Sequence, residues 1–188
     1  MRRTLKRRCS NLSYLLAGDE DIALAVPFGR VLAGEDGSFS FIAGIDGESA
    51  VVKARISDGL EVSGEISARF SGEGKLFGSG SVMFADVSSD LYEQGEAGSD
   101  IPMIASGVLD FDVSEDGGVV VYTKSSGSTV SVFEVLNGKK LEEPVFIGRD
   151  IDVISLSPDG RTLLSVSKEK RAGEGRSPAK YIITELMY

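Results

Sequence analysis

The sequence contains no histidine and no tryptophan, and Cys9 is the single cysteine among 188 residues. Without histidine, neither a Ser-His-Asp nor a Cys-His nucleophile pair can be assembled. Zinc coordination by histidine is excluded too, and one thiol cannot build a thiolate site. Only a metal or acid–base site made of carboxylates stays open. We therefore expect a protein that is not an enzyme and holds no cofactor or metal.

The single cysteine also excludes an internal disulfide. No run of about 18 apolar residues is present, so no membrane-spanning helix is expected. One thiol without a visible secretory signal favours a reducing compartment, and we predict a cytoplasmic protein with the nucleus as an alternative. An apolar content of 41% and a charged content of 26% are ordinary for a globular domain.

Charge is distributed unevenly along the chain. The net charge is −9, but the first 18 residues hold five basic side chains and no acidic one, which leaves −14 for the rest. An acidic body does not bind nucleic acid over a broad surface, so such a contact is expected only through the basic arm, residues 1–11. The same composition is typical of a mitochondrial presequence. The basic residues of the arm are Arg2, Arg3, Lys6, Arg7 and Arg8.

The segment LSPDGRTLLSVS, residues 156–167, predicts a β-hairpin. Its proline presets the backbone for a turn, its aspartate can bond to nearby backbone N–H groups, and its glycine accepts positive φ. Apolar residues alternate on both sides of the turn, as in two antiparallel strands. Related segments place turn glycines at positions 29, 74, 117 and 160, with spacings of 45, 43 and 43 residues.

Further apolar segments surround each predicted hairpin, and no helical period is present. The total of sixteen short strands predicts an all-β fold, with a β-sandwich or barrel as the alternative to a repeat. Third strands are predicted at 38–45, 81–87, 129–135 and 180–186, and strands that precede each hairpin at 12–17, 51–56, 101–105 and 145–148.

The chain resembles the WD-repeat family and its divergent propeller relatives. The resemblance lies in RFSGEGKLFGSGS, DVSEDGGVVVYTKSSGSTVSVFEV and SLSPDGRTLLSVS and extends over roughly residues 12–186. The period near 43 residues is typical of such repeats, although the Gly-His and Trp-Asp dipeptides of the family cannot occur here. The resemblance implies one β-propeller domain, residues 12–188, with about four blades of four antiparallel strands. Its repeats are approximately 21–64, 65–107, 108–150 and 151–188.

Four blades is the lower limit for a propeller, so closure of the ring is an open question. We expect residues 12–17 to pair with the last sheet, because an unpaired edge strand invites aggregation. The alternatives are a small closed ring, an incomplete propeller that a partner or a second copy completes, and a reduced or partial form of a longer propeller.

The connection after residue 167 is the longest and most basic of its kind, and insertions on repeat scaffolds often form contacts. Together with the arm, it is the predicted partner-binding site. Asp110 and Asp112 are interpreted as solvated residues of a turn and a strand edge. The basic residues of the connection are Lys168, Lys170, Arg171, Arg176 and Lys180.

The function predicted from these features is that of a non-catalytic scaffold or subunit of a larger complex, which binds a protein partner through propeller loops. One alternative is an exchange factor for a small GTPase of vesicle transport, since the repeats weakly resemble the later blades of such propellers. Another is a component of a ribonucleoprotein that docks through the basic arm. A carboxylate-based propeller hydrolase or lactonase is the enzymatic alternative.

Overall fold

β-Strands make up the regular secondary structure of the protein. The computed structural model describes residues 14–17, 20–23, 28–34, 36–45, 47–56, 62–78, 80–94, 101–149, 151–168 and 179–187. Within these residues there are eighteen strands and no helix, which confirms the all-β prediction. The strands are β1 (Tyr14–Ala17), β2 (Glu20–Ala23), β3 (Phe28–Ala33), β4 (Ser38–Ile45), β5 (Glu48–Ile56), β6 (Val62–Phe70), β7 (Glu73–Phe77), β8 (Ser81–Ala85), β9 (Leu91–Gln94), β10 (Met103–Ala105), β11 (Phe111–Val113), β12 (Val119–Ser126), β13 (Thr129–Leu136), β14 (Lys139–Lys140), β15 (Phe146–Arg149), β16 (Ile151–Leu156), β17 (Thr162–Lys168) and β18 (Ala179–Glu185).

These strands form four sheets. The first sheet has the order β2-β1-β6-β5-β4-β3, and the second has the order β10-β9-β8-β7. The third has the order β11-β12-β13-β14, with β15 also paired to β13, and the fourth has the order β16-β17-β18. Among the described residues, none belongs to a helix long and apolar enough to span a membrane.

The chain divides into two compact units, residues 1–87 with 92–102 and residues 88–91 with 103–188. In the first unit, consecutive side chains of β4 point to opposite faces of the first sheet. Phe41 packs with Val52 in one buried cluster, whereas Ile42 packs with Val51 and Phe84 in another. The first sheet therefore buries apolar side chains on both of its faces.

In the second unit, the core lies between the third and fourth sheets. Val121 and Val132 of the third sheet pack with Ile154 and Leu163 of the fourth, and all four are almost completely buried. The β-branched side chains suit this surface because their rigid shape packs well against a pleated sheet. The fourth sheet is thus anchored through one face.

The predicted turn at residues 157–160 is present, and it recurs 43 residues earlier with the same hydrogen bonds. Ser157 Oγ donates to Asp159 Oδ1 at 2.6 Å and accepts from Thr162 N–H at 2.9 Å. In the earlier copy, Ser114 Oγ donates to Asp116 at 2.7 Å. The glycines of the two turns have φ values of 79° and 76°. The Ser-x-Asp-Gly repeat is therefore a real structural repeat in the second unit.

The first half of the chain departs from the predicted turn positions. Gly29 lies inside β3 and Gly74 inside β7, so neither is a turn residue. The short segment between β6 and β7 connects the first sheet to the second. Consequently β4 and β8 are the second strands of their sheets when strands are counted from β3 and from β7, and not the predicted third strands. By contrast, β13 and β18 are the third strands of the third and fourth sheets, as predicted. The predicted boundaries of the arm and the four repeats stay a prediction.

The predicted closing strand was also placed incorrectly. Its described part, β1, pairs with β2 in antiparallel fashion and with β6 in parallel at Leu16 and Ser63. It therefore belongs to the first sheet and does not complete the fourth. Among the described residues, the fourth sheet contains three strands, and β18 is its outer edge.

Acid should weaken the fold partly through these turns. The hydrogen bond from Ser157, followed by the backbone N–H of Arg161, holds the pKa of Asp159 below its ordinary value of 3.8. Since the folded pKa is lowered, the stabilisation is present above 3.8 and is lost as the pH falls below it. We expect Asp159→Asn to lose less stability than the wild type between about pH 5 and about pH 2. Urea unfolding across this range measures the difference, and parallel pH profiles would contradict it.

Candidate partner-binding surface

Two aspartates fix the position of β16, the first strand of the fourth sheet. Asp110 Oδ2 accepts a hydrogen bond from Ile154 N–H at 2.8 Å, and Asp112 Oδ2 accepts one from Leu156 N–H at 2.7 Å. Their other carboxylate oxygens accept from the next N–H along the chain at 2.9 Å. The interpretation of these aspartates as merely solvated residues was therefore wrong, because they bond the third sheet to the fourth.

The predicted basic connection joins β17 to β18. Lys168 pairs with Ala179 and Ser167 pairs with Lys180, so the two ends of the connection are held together by the strand ladder. Ser167 Oγ also donates to the carbonyl of Arg149 at 2.9 Å. Lys180 and Arg149 are exposed. This end of the fourth sheet therefore collects basic side chains.

The remaining predicted contact residues fall in parts of the chain that the structure does not describe. Lys168 has a described backbone position at the end of β17, and Lys180 has an exposed side chain on β18. The structure thus brings these two lysines to the same hairpin. Outside the described residues lie Arg2, Arg3, Lys6, Arg7, Arg8, Lys170, Arg171 and Arg176.

Apolar side chains cover the outer face of the fourth sheet beside this basic end. Val166 of β17 pairs with Tyr181 of β18, and Leu164 pairs with Ile183. The exposed fractions of Tyr181 and Ile183 are 67% and 72%. Val153, opposite Val166 on β16, is 47% exposed. We call Val153, Leu164, Val166, Tyr181 and Ile183 the β18 surface.

The backbone N–H and C=O groups of β18 point alternately toward β17 and toward the outer edge of the sheet. Leu186 N–H donates to the carbonyl of Arg161 at 2.8 Å, which fixes the hydrogen-bonding phase of the β17–β18 ladder. In an antiparallel ladder, every second residue directs its N–H and C=O toward the partner strand. Ile182 and Thr184 therefore face β17, whereas Tyr181 and Ile183 direct their backbone groups to the outer edge.

The sequence matches no protein-family model and no curated protein. Among solved structures, TolB from Acinetobacter baumannii is similar with a TM-score of 0.51 and 16% identity over 83% of this chain. The TolB candidate protein of Agrobacterium tumefaciens is similar with a TM-score of 0.51 and 13% identity over 89% of this chain. The fold is that of a β-propeller. The chain spans 41% and 65% of the length of these two proteins.

The β18 surface belongs to the fourth sheet. In the described part of the propeller, no group of three or more cysteine, aspartate or glutamate side chains is arranged to hold a metal ion. What the surface offers instead is an apolar face, a backbone edge and a basic end. Packing, hydrogen bonding and charge are the interactions by which proteins recognise macromolecules.

Sequence reasoning found the basic end of this surface and missed its apolar part. The run Tyr181-Ile182-Ile183 places apolar side chains on both faces of one strand. Such a run is typical of a strand that is covered on both faces. It was a signal that β18 carries more apolar area than its own sheet can bury.

Proposed function

We propose that this propeller is a non-catalytic interaction module that binds a protein partner through the β18 surface. The observation that carries the proposal is the exposure of Tyr181 and Ile183 side by side on an edge strand. Single exposed apolar residues are normal, but contiguous ones next to polar groups mark contact sites.

Charge supports the choice of a protein partner. The segment 168–180 contains five basic and two acidic residues, in a chain whose net charge is −9. A local positive region on an acidic protein favours partners that carry a complementary cluster of acidic residues, and it speeds their association. Tyrosine is also among the residues that most often dominate binding energy at protein interfaces.

The repeated turn supports a finer proposal, that the module is WD-repeat-like. The same Ser-x-Asp-Gly turn occurs twice at a distance of 43 residues, with matching hydrogen bonds. We further propose a scaffold role in the cytoplasm, in keeping with the reducing compartment that the cysteine content favours. Exchange-factor and ribonucleoprotein functions stay alternatives.

The test is quantitative capture of partners from the native source with matched variants. Tyr181→Ser/Ile183→Ser should reduce partner recovery by about tenfold or more, because interface aromatic and apolar anchors carry most of the binding energy. The control is Val31→Ser/Val87→Ser, which replaces apolar residues that are 56% and 86% exposed in the first unit. Equal recovery with both variants would overturn the proposal.

Both double variants should fold normally, since changes at exposed positions usually alter stability by less than about 0.5 kcal/mol. Thermal unfolding of the purified proteins checks this before capture. A loss of partner with unchanged unfolding then reports on the surface and not on the fold.

A further inference from the structure

Within the described residues, the outer edge of β18 in the fourth sheet is open, whereas the third strands of two other sheets are covered. In the first sheet, the third strand β5 has β6 as an antiparallel neighbour on its outer side. In the third sheet, the third strand β13 has β14 and β15 along its outer edge, also antiparallel. Among the described residues, β18 has no strand in the corresponding position.

We propose that a partner protein donates a β-strand that pairs antiparallel with β18 and extends the fourth sheet. This inference rests on the proposed function and specifies the class of partner. The outward N–H and C=O groups of Tyr181 and Ile183 provide the hydrogen bonds for such strand addition. The two exposed side chains provide the apolar contacts next to that edge.

The side chains of β18 define the chemistry of the donated strand. Residues directly opposite each other in an antiparallel pair point to the same face of the sheet. The donor therefore carries apolar residues opposite Tyr181 and Ile183. Lys180 and Glu185 are both exposed, so the donor carries an acidic residue opposite Lys180 and a basic residue opposite Glu185.

A second copy of this chain fits the edge less well. Two β18 strands can exchange hydrogen bonds only if the outward-facing residues, which have odd numbers, lie opposite each other. Lys180 then lies opposite an even-numbered residue and never directly opposite Glu185. The two copies would also bring together net charges of −9 each. A different protein with the complementary charges is therefore the occupant that we propose.

A capped peptide tests the inference on the full-length chain. The sequence Lys-Thr-Val-Val-Ile-Glu-Thr places lysine opposite Glu185, valine opposite Ile183, isoleucine opposite Tyr181 and glutamate opposite Lys180. At about 1 mM peptide, amide hydrogen exchange of Tyr181 and Ile183 should slow by about tenfold or more. Exchange at Ile182 and Thr184 should change little, because β17 already binds these amides.

Peptide variants separate strand addition from simple apolar docking. N-methylation of the third residue removes a hydrogen bond to Ile183 and should weaken binding by about tenfold. N-methylation of the fourth residue, whose N–H points away from β18, should leave binding nearly unchanged. Exchanging the lysine and the glutamate of the peptide should weaken binding by about fivefold.

Three results would overturn the inference. The first is unchanged exchange at Tyr181 and Ile183 with about 1 mM peptide, and the second is an equal effect of the two methylations. The third is protection of these amides in the free protein that increases with protein concentration, which would indicate pairing of two copies. The proposed function is tested separately by the capture experiment, where Tyr181→Ser/Ile183→Ser is compared with its control.

Discussion

Gly72→Ala is expected to lower the free energy of unfolding by about 3 kcal/mol. Gly72 has a φ of 94°, where a side chain is strained. A Cβ at this position would lie 2.0 Å from the carbonyl oxygen of Ala85, a backbone atom. That carbonyl cannot easily retreat, because Ala85 is paired with Glu73 in the β7–β8 ladder. Conformational strain and a backbone clash therefore act together.

The matched control for this prediction is Gly78→Ala. Gly78 also has a positive φ, 57°, but a Cβ there would meet nothing within 4 Å. We expect a cost of about 1 kcal/mol for the left-handed conformation alone. Denaturant unfolding of both variants separates strain from the clash. Equal losses for the two variants would show that the clash with Ala85 adds nothing to the cost of the left-handed conformation.

The second large effect is expected for Asp112→Ala, with a loss of about 2 kcal/mol. The substitution removes the acceptor of the Leu156 N–H, which donates to Asp112 at 2.7 Å. Leu156 is only 8% exposed, so water cannot readily replace the lost partner. A hydrogen bond to a charged group is worth more than one between neutral groups.

The control here is Glu115→Ala, three residues along the chain and exposed. It removes a carboxylate of the same charge from an exposed side chain, and we expect a change below about 0.5 kcal/mol. Chemical denaturation monitored by circular dichroism compares the two variants. If both lose the same stability, the effect of Asp112 is one of charge and not of the hydrogen bond.

The turns of the second unit could be predicted because their chemistry is local. Serine, aspartate and glycine within four residues supply the hydrogen bonds and the positive φ that such a turn needs. In the first unit the same reasoning was wrong at Gly74, which lies in a strand. A Cβ there would lie 2.4 Å from the Phe70 ring, so this glycine makes room for packing and not for a turn. Sequence spacing alone cannot tell the two uses apart.

The candidate partner-binding surface could be predicted only in part for a related reason. The basic residues around Lys180 are visible in the sequence as a local run. Whether Tyr181 and Ile183 are buried depends on which strand lies beside β18, and that is decided by the pairing of distant segments. The role of Asp112 could not be predicted either, because Leu156, which donates a hydrogen bond to it, is 44 residues away in the sequence.

The bonds from Asp110 and Asp112 to β16 have a consequence for folding. They join segments that are separated by 44 residues, so they form only after a long loop has closed. Once formed, they connect the first strands of the third and fourth sheets. These two sheets should therefore open together as one cooperative unit, and a partner strand that binds β18 would slow the opening of both.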